Sequence, residues 1–294
     1  MKIRLRLSAG IIAASLLSGC ANLPYRYGRT DDYINPVPLG ADEEQIVQST
    51  PNKFLDASDW FWPGSLFSKL ILWNKDVDSH QFSQETEDIL QEYLLANNLT
   101  DVKVRINSCN AGGELRRTIH NRSVGAGWRY TFGMVAWVQY IIMPGRFFGG
   151  DNYNPYSNTI NIYSDIPAVA LHEAGHAKDF GRRKYKGTYA FAYMLPFFNL
   201  YPEALATGDA LGYLRTEESL QEQKTGYNTL YPAYGTYLGS NVGDWLAFPW
   251  NYAAMAAGVI PGHIAGRIRS ATLPETSAPA ISAQGAEKLP ANHE

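Results

Sequence analysis

The chain has 294 residues, of which 45% are hydrophobic and 18% are charged. This length and composition suit a globular protein with a substantial core, folded as one large domain or as two small ones. The formal net charge of −3 argues against a nucleic acid as the partner.

The first twenty residues have the features of a targeting signal. Basic residues at positions 2, 4 and 6 precede a short apolar stretch at 7–17, as in a secretory signal peptide. The sequence Leu-Ser-Gly-Cys that ends at Cys20 resembles the lipobox of bacterial lipoproteins, and an ordinary secretory signal is the alternative. The resemblance implies cleavage before Cys20 and a lipid anchor on that residue. Ala21 stands where inner-membrane lipoproteins tend to have Asp, which favours the periplasmic side of the outer membrane.

Composition and periodicity divide the rest of the chain into three parts. Residues 21–80 lack a regular period and are predicted to be a tether and lead-in. Residues 81–268 are predicted to form the main domain, with helices in its C-terminal part. Residues 269–294 are rich in Ala, Pro, Ser and Glu and are predicted to be disordered. Cys109 is the only cysteine after Cys20, so no intramolecular disulfide is expected, and Cys109 is predicted to be buried.

The periodic segments of the main domain predict helices and short strands in a definite order. An apolar stripe with acidic first turns predicts a helix over 83–97, and clean alternation predicts a strand over 102–107. The charges of 114–122 suggest a loop or a sheet edge. The apolar stretch 130–143 is either one long strand or a buried helix. Alternation at 158–163 predicts a further short strand.

The helix predicted after this strand contains the motif His172-Glu173-Ala174-Gly175-His176. Side chains at i and i+4 lie one above the other on a helix, so His172 and His176 can occupy two adjacent positions of a tetrahedral zinc site. Glu173 comes next around the helix, where a carboxylate can take the proton of a metal-bound water as general base. The alternative is an exposed helix with two ordinary histidines and a solvated glutamate.

The order of strand, tight turn and helix around this motif resembles the zincin superfamily of metallopeptidases. The resemblance implies an α+β fold: a minimal zincin-like domain with a small sheet and its edge strand, the H-E-x-x-H helix and a second ligand helix. A mostly helical, aromatic and glycine-rich segment follows. In zincins the strand beside the metal helix is an edge that binds extended peptide by β-augmentation. Here that strand is expected to be the one with Ile160 and Ile162.

A catalytic zinc site needs a third protein ligand and one open position. Glu203 begins a predicted helix and continues Glu-x-x-Ala, which is similar to the second ligand helix of the gluzincins. The similarity extends over residues 158–211. It implies His172, His176 and Glu203 as the three ligands, with Glu173 as general base.

One feature departs from the gluzincin pattern, and two alternative ligands stay open. The long aromatic insertion at 187–202 departs from compact members. The metzincins are excluded because no H-x-x-G-x-x-H continuation follows the glutamate of the motif. Asp209 and His263 remain alternative third ligands.

Four further side chains are expected to support such a site. Asp179 follows His176 by three residues, hence on the same helix face, and could orient a ligand histidine by accepting its second N–H. Asp209 could do the same from the second helix. Tyr213 and His263 are the candidates for stabilising the oxyanion of a tetrahedral intermediate. Each of these residues could equally be structural.

The C-terminal part of the domain is rich in regularly spaced glycines. Glycines at 235–243 are four residues apart, and small residues with the same spacing cover 254–266. Small residues at this spacing let two helices approach closely. Residues 245–266 contain no Lys, Arg, Asp or Glu and are long enough to span a bilayer. A tight helix pair that covers the core or touches lipid is favoured over a transmembrane hairpin, because the segment holds two prolines and two polar side chains.

Together these features predict a zinc-dependent peptidase of the bacterial cell envelope, attached to the membrane through lipidated Cys20. Its substrate would be a peptide or a protein, bound in extended form. The alternative is a non-catalytic, membrane-associated lipoprotein scaffold whose metal site is structural or vestigial. An intact Glu173 favours the enzyme, because a purely structural site does not need a general base.

Overall fold

The computed structural model describes residues 25–50, 52, 56–57, 62–247 and 249–274. These residues form a mostly helical α+β fold with one small mixed sheet. The predicted signal peptide, the lipidation site at Cys20 and residues 275–294 of the predicted tail lie outside the described residues.

Four short strands form the sheet: β1 (Ile46–Gln48), β2 (Lys103–Ile106), β3 (Asn152–Asn154) and β4 (Thr159–Ile162). Their order is β1-β2-β4-β3, with β1, β2 and β4 parallel and β3 antiparallel to β4. β4 is therefore an inner strand, and all of its residues are buried. The expectation that the strand with Ile160 and Ile162 would be the edge is wrong, because β3 pairs along its outer side.

The helices surround this sheet. They are α1 (Pro63–Leu72), α2 (Gln84–Ala96), α3 (Ala111–His120), α4 (Ala126–Trp128), α5 (Met134–Ile142), α6 (Gly145–Phe148), α7 (Pro167–Gly181), α8 (Lys186–Tyr193), α9 (Leu200–Glu217), α10 (Leu220–Gly243) and α11 (Trp250–Ala271). A 3₁₀ turn at Thr30–Asp32 precedes them, and a π-helical turn at Arg129–Gly133 joins α4 to α5 without a break.

The predicted helix over 83–97 and the predicted strand over 102–107 are confirmed as α2 and β2. The ambiguous stretch 130–143 is helical and belongs to the π turn and α5. Segment 114–122, expected as a loop or edge, lies largely in α3, where Asn110 caps the first turn by accepting from Gly113 N–H at 2.8 Å. Cys109 is exposed rather than buried.

The main core lies between the sheet and helices α2, α7, α9 and α10. It includes Leu90, Val104, Ile160, Leu171 and Leu211, all at most 1% exposed. In α7, only three of the 15 residues escape burial, so this helix has no solvated face. Polar side chains on such a helix must find partners inside the protein, because an unpaired buried polar group is costly.

The described part of residues 21–80 is not a tether. β1 pairs in parallel with β2 inside the sheet. The hydroxyl of Tyr25 donates to Asn97 Oδ1 at 2.8 Å, and Lys178 Nζ donates to that hydroxyl at 3.1 Å. The predicted start of the domain at residue 81 is therefore too late, since earlier residues form part of its sheet and its core.

Helices α10 and α11 form the tight pair that the glycine spacing predicts. A Cβ added to Gly235, Gly239 or Gly258 would lie less than 3.0 Å from backbone atoms of the opposite helix. Glycine is thus required for the backbones to meet at this distance. Among the described residues, no helix combines the length and the apolar character needed to cross a membrane.

Replacing Gly258 with Ala should push α10 and α11 apart, because the added methyl meets the backbone of Gly235 and Gly239. We expect a loss of about 1–3 kcal/mol in the free energy of unfolding, measured by urea titration. Gly127→Ala is the control: Gly127 lies in α4, and an added Cβ there has nothing within 4 Å. That variant should keep or slightly raise stability. Equal losses in the two variants would contradict close packing as the cause.

Acidic side chains crowd where α2, α9 and α10 meet. Burial and the nearby carboxylates of Glu92 and Glu222 raise the pKa of Glu218 to about 7. The folded state then holds this proton more tightly than the unfolded state, so stability falls as pH rises from about 4.5 to 7. Glu218→Gln should raise Tm at pH 8 and leave it unchanged at pH 4, as measured by calorimetry. The same gain from Glu44→Gln, which changes an exposed acid, would contradict this explanation.

Candidate metal centre

Helices α7 and α9 place three potential ligands face to face. His172 and His176 lie one turn apart on α7, and Glu203 lies in the first turn of α9. The helices approach closely at Gly175, where an added Cβ would lie 3.2 Å from the Cα of Ala206. The small residue of the Glu-x-x-Ala pattern therefore lies where it lets the ligand helix approach the histidine helix.

The three side chains converge on one point. His172 Nε2 lies 3.1 Å from His176 Nε2 and 3.1 Å from Glu203 Oε2, and His176 Nε2 lies 3.5 Å from Glu203 Oε1. All three residues are buried. They form a group whose ligand atoms lie within 4.8 Å of one another, and no other such group of His, Cys, Asp and Glu occurs in the described ranges.

The spacing of these atoms fits a small metal ion. Metal–nitrogen bonds of about 2.0–2.1 Å at a tetrahedral angle put neighbouring donors about 3.3 Å apart. The observed separations of 3.1, 3.1 and 3.5 Å lie on both sides of this value. Without a cation, two facing imidazole nitrogens and a carboxylate compete for protons, whereas a cation can accept all three lone pairs. The buried group of His172, His176 and Glu203 could therefore hold a metal ion.

Neighbouring side chains orient two of the three potential ligands. The hydroxyl of Tyr193 donates to Glu203 Oε1, and Thr207 Oγ1 lies 3.4 Å from His172 Nδ1. When His172 Nδ1 carries the proton of the neutral imidazole, its Nε2 is free to bind a metal. His176 Nδ1 is buried without a hydrogen-bond partner. Tyr193 thus contacts Glu203, Thr207 contacts His172, and both contacts help to fix the orientation of these side chains.

Two buried carboxylates in this region have pKa values that move in opposite directions. Burial alone would raise the pKa of Glu203, but His176 and His172 beside it lower that pKa to about 2. Burial raises the pKa of Glu173 to about 8; His172 counteracts this rise, and the charges of Glu203 and Asp151 add to it. Glu203 is therefore an anion in the metal-free protein, while Glu173 can hold and release a proton near neutral pH.

A cavity of about 270 Å³ opens beside these residues. Glu173, His176 and Glu203 line it, and so do residues of the edge strand β3. Its walls also include aromatic side chains from α8 and α10, namely Tyr193 and Tyr237. His176, Glu203 and the potential general base Glu173 therefore face a space that adjoins the edge strand β3.

Asp179 and Asp209 do not orient His172 or His176. Asp179 Oδ2 accepts from the hydroxyl of Tyr189 at 2.7 Å, and Oδ1 accepts from Arg183. Asp209 Oδ1 pairs with Lys178 Nζ at 2.6 Å. Asp209 comes six residues after Glu203 on α9, which puts the two side chains about 120° apart around the helix. It is also not part of the metal-binding group.

Tyr213 and His263 lie elsewhere as well. The ring of Tyr213 packs edge-on against Tyr25 and Tyr93, with centroids 5.6 and 5.0 Å apart. His263 Nε2 lies 2.7 Å from the carbonyl oxygen of Ile71, and its ring stacks on Trp73. Neither residue lines the cavity beside the potential ligands, so the structure offers neither as an oxyanion donor or as the third ligand.

Sequence reasoning missed Tyr193 and Tyr237. Tyr193 contacts Glu203 directly, and the charge of Glu203 raises the pKa of Tyr237 well above its ordinary value, followed by the effect of burial. Both residues lie in aromatic stretches of a chain with 19 tyrosines. No spacing in the sequence distinguishes these two, because helix packing alone brings them to the cavity.

Comparisons with known proteins give no match: no family model, no curated protein and no solved structure is similar to this chain.

We predict that the purified protein binds one divalent metal ion per chain. His176→Ala should lose the metal, because the substitution removes one of the three potential ligand atoms. Inductively coupled plasma mass spectrometry after gel filtration measures the metal content. His120→Ala is the matched control, because His120 is exposed on α3 and outside the group. Metal retained in His176→Ala, or lost equally in His120→Ala, would contradict the site.

Proposed function

We propose that this protein is a zinc-dependent peptidase of the bacterial cell envelope. The observation that carries the proposal is the convergence of His172, His176 and Glu203 beside a cavity that Glu173 also lines. Three potential ligands with a carboxylic acid next to them are what hydrolysis by a metal-activated water requires.

Zinc is the metal that best suits this donor set. Two imidazole nitrogens and one carboxylate oxygen are common zinc ligands, and their separations here fit tetrahedral bonding. Among the described residues the group has three members, which supports a position left open for water or substrate. When bound, zinc supplies Lewis acidity, which lowers the pKa of a coordinated water and polarises a carbonyl group.

Glu173 is the residue that would move the proton. Its carboxyl group lies in the cavity wall, next to the ligand His172 in the sequence. Burial raises the pKa of Glu173 to about 8, and the positive charge of a cation held by the neighbouring side chains would lower that pKa, so that the carboxylate could take a proton near neutral pH. It can then give that proton to the leaving amine, which completes hydrolysis of a peptide bond.

The edge strand β3 supports a peptide as the substrate. In the described part of the chain β3 pairs with β4 alone, and residues of β3, among them Tyr153, line the cavity. An extended chain can add to such an edge through backbone hydrogen bonds, which recognise peptide independently of its side chains. This role belongs to β3 and not to the strand with Ile160 and Ile162.

Tyr193 has a positioning role in this proposal. Its hydroxyl donates to Oε1 of Glu203 and so holds the carboxylate toward the two histidines. A hydrogen-bonded partner behind a ligand carboxylate fixes its orientation and sharpens the geometry of the site. The cell-envelope location rests on the sequence before residue 21 alone, through the predicted lipid anchor at Cys20.

Glu173→Gln should abolish hydrolysis while the protein still binds its metal, because an amide keeps the shape but cannot accept the proton. We expect the rate to fall at least about hundredfold. The assay is release of peptides from unfolded casein by residues 21–294 reconstituted with zinc, with the metal content measured in the same samples. Glu44→Gln is the control for a surface charge change and should keep full activity.

Two results would contradict the proposal. Metal bound by an otherwise inactive parent protein would favour the non-catalytic scaffold. Activity that survives Glu173→Gln would remove Glu173 from the reaction.

A further inference from the structure

The outer face of α11 is a continuous apolar surface. Ala253, Ala257, Ile260, Ile264 and Ile268 recur every three or four residues and therefore share one side of the helix. The three isoleucines are 60, 57 and 58% exposed. The opposite side of α11 carries the glycines that pack against α10. A row of large apolar side chains that stays exposed on a folded domain marks an interaction surface.

Exposed tryptophans stand at both ends of this face. Trp73, at the end of α1, is 68% exposed, and the guanidinium of Arg267 lies 4.4 Å from its ring centre. Trp245 and Trp250, at the start of α11, are 71 and 67% exposed. Tryptophan is favoured at the boundary between lipid and water, because its ring is apolar and its N–H is polar.

Helix α11 itself carries charges of one sign only. Residues 245–271 contain no acidic side chain, and their only charged residues are Arg267 and Arg269. Arginines beside an apolar helix face can place their guanidinium groups among anionic headgroups while their stems contact the acyl region. Asp244 is exposed just before Trp245, so the C-terminal end of α11, with Arg267 and Arg269, is the part of this face whose charge matches an anionic lipid surface.

The predicted anchor sets how far the domain can lie from a bilayer. The described chain begins at Tyr25, which packs against Gly212 of α9. Tyr25 comes five positions after Cys20, and five extended residue-to-residue steps span at most about 18 Å. A lipidated Cys20 would therefore hold this small domain close enough for one of its faces to touch the membrane.

We propose that the outer face of α11, together with Trp73, Trp245 and Trp250, docks on a lipid bilayer that contains anionic headgroups. The helix lies parallel to the bilayer plane, with its isoleucines toward the acyl chains and Arg267 and Arg269 at the headgroups. The surface is independent of the proposed peptidase chemistry, and vesicle binding tests it without any measurement of hydrolysis.

The test uses residues 21–294, which contain every described residue and lack the predicted signal peptide. Binding to vesicles of phosphatidylcholine, with and without phosphatidylglycerol, is measured by co-sedimentation. The parent should bind both, and more tightly when phosphatidylglycerol is present. Replacing Ile260, Ile264 and Ile268 with Ser should weaken binding at least about tenfold, because these side chains supply the buried apolar area. Arg267→Gln with Arg269→Gln should weaken only the phosphatidylglycerol-dependent part, several-fold.

The matched control replaces Leu95, Ile119 and Tyr185 with Ser, since these side chains are 65, 36 and 69% exposed and lie on separate elements, namely α2, α3 and the residue before α8. This variant should bind vesicles as the parent does. Equal weakening in both triple variants, or none in the α11 variant, would overturn the proposal.

Sedimentation velocity adds a further check. A parent dimer that the α11 substitutions dissociate, without vesicle binding, would assign the face to contact between copies. Circular dichroism verifies that each variant is folded.

Discussion

The close contact between α7 and α9 is the constraint on which the candidate site depends. The two histidines reach Glu203 only because Gly175 has no side chain and Ala206 has a small one. Ordinary helix pairs lie 8–10 Å apart between their axes, and small residues at the crossing bring the axes toward the lower end of that range. Local i, i+4 geometry aligns the two histidines, but this crossing brings Glu203 Oε2 within 3.1 Å of His172 Nε2.

Burial then gives the two glutamates of the site different chemistry. Glu203 has two imidazoles and a tyrosine hydroxyl around it, and these stabilise its anion even though it is only 1% exposed. Glu173 has less compensation, because the carboxylates of Glu203 and Asp151 oppose its ionisation. Two acids whose environments separate their pKa values in this way can take the roles of ligand and proton carrier. A buried acid whose charge few neighbours stabilise lowers the stability of the folded state. Such a residue is therefore a candidate for a functional role.

The sequence was sufficient to predict the three residues of the candidate group, but not the tertiary contacts around them. Helical spacing was enough to align His172 with His176, and the Glu-x-x-Ala similarity was enough to select Glu203. The order of the strands was not predictable. Apolar and polar residues alternate in β4 as in an edge strand, and yet β4 pairs with a strand on each side and all of its residues are buried. Asp179 has the correct helical spacing, but it pairs with Arg183 beyond the buried part of α7. Helical spacing places a residue on a face without determining which partner it meets there.

The tyrosines at the cavity show why the C-terminal helices belong to the site. The insertion at 187–202 supplies Tyr193 and Met194 to the cavity wall, and α10 supplies Tyr237. Asn241 ties the two parts together: its Oδ1 accepts from Phe197 N–H at 2.5 Å, and its Nδ2 donates to Asn199 at 2.8 Å.

Because α10 is locked to α11 by glycine contacts, the cavity wall and the outer face of α11 are connected through one rigid helix pair. A bilayer bound to that face would therefore fix the orientation of the cavity relative to the membrane. The aromatic segment 187–202 therefore has a structural role: it joins residues of the cavity wall to α10.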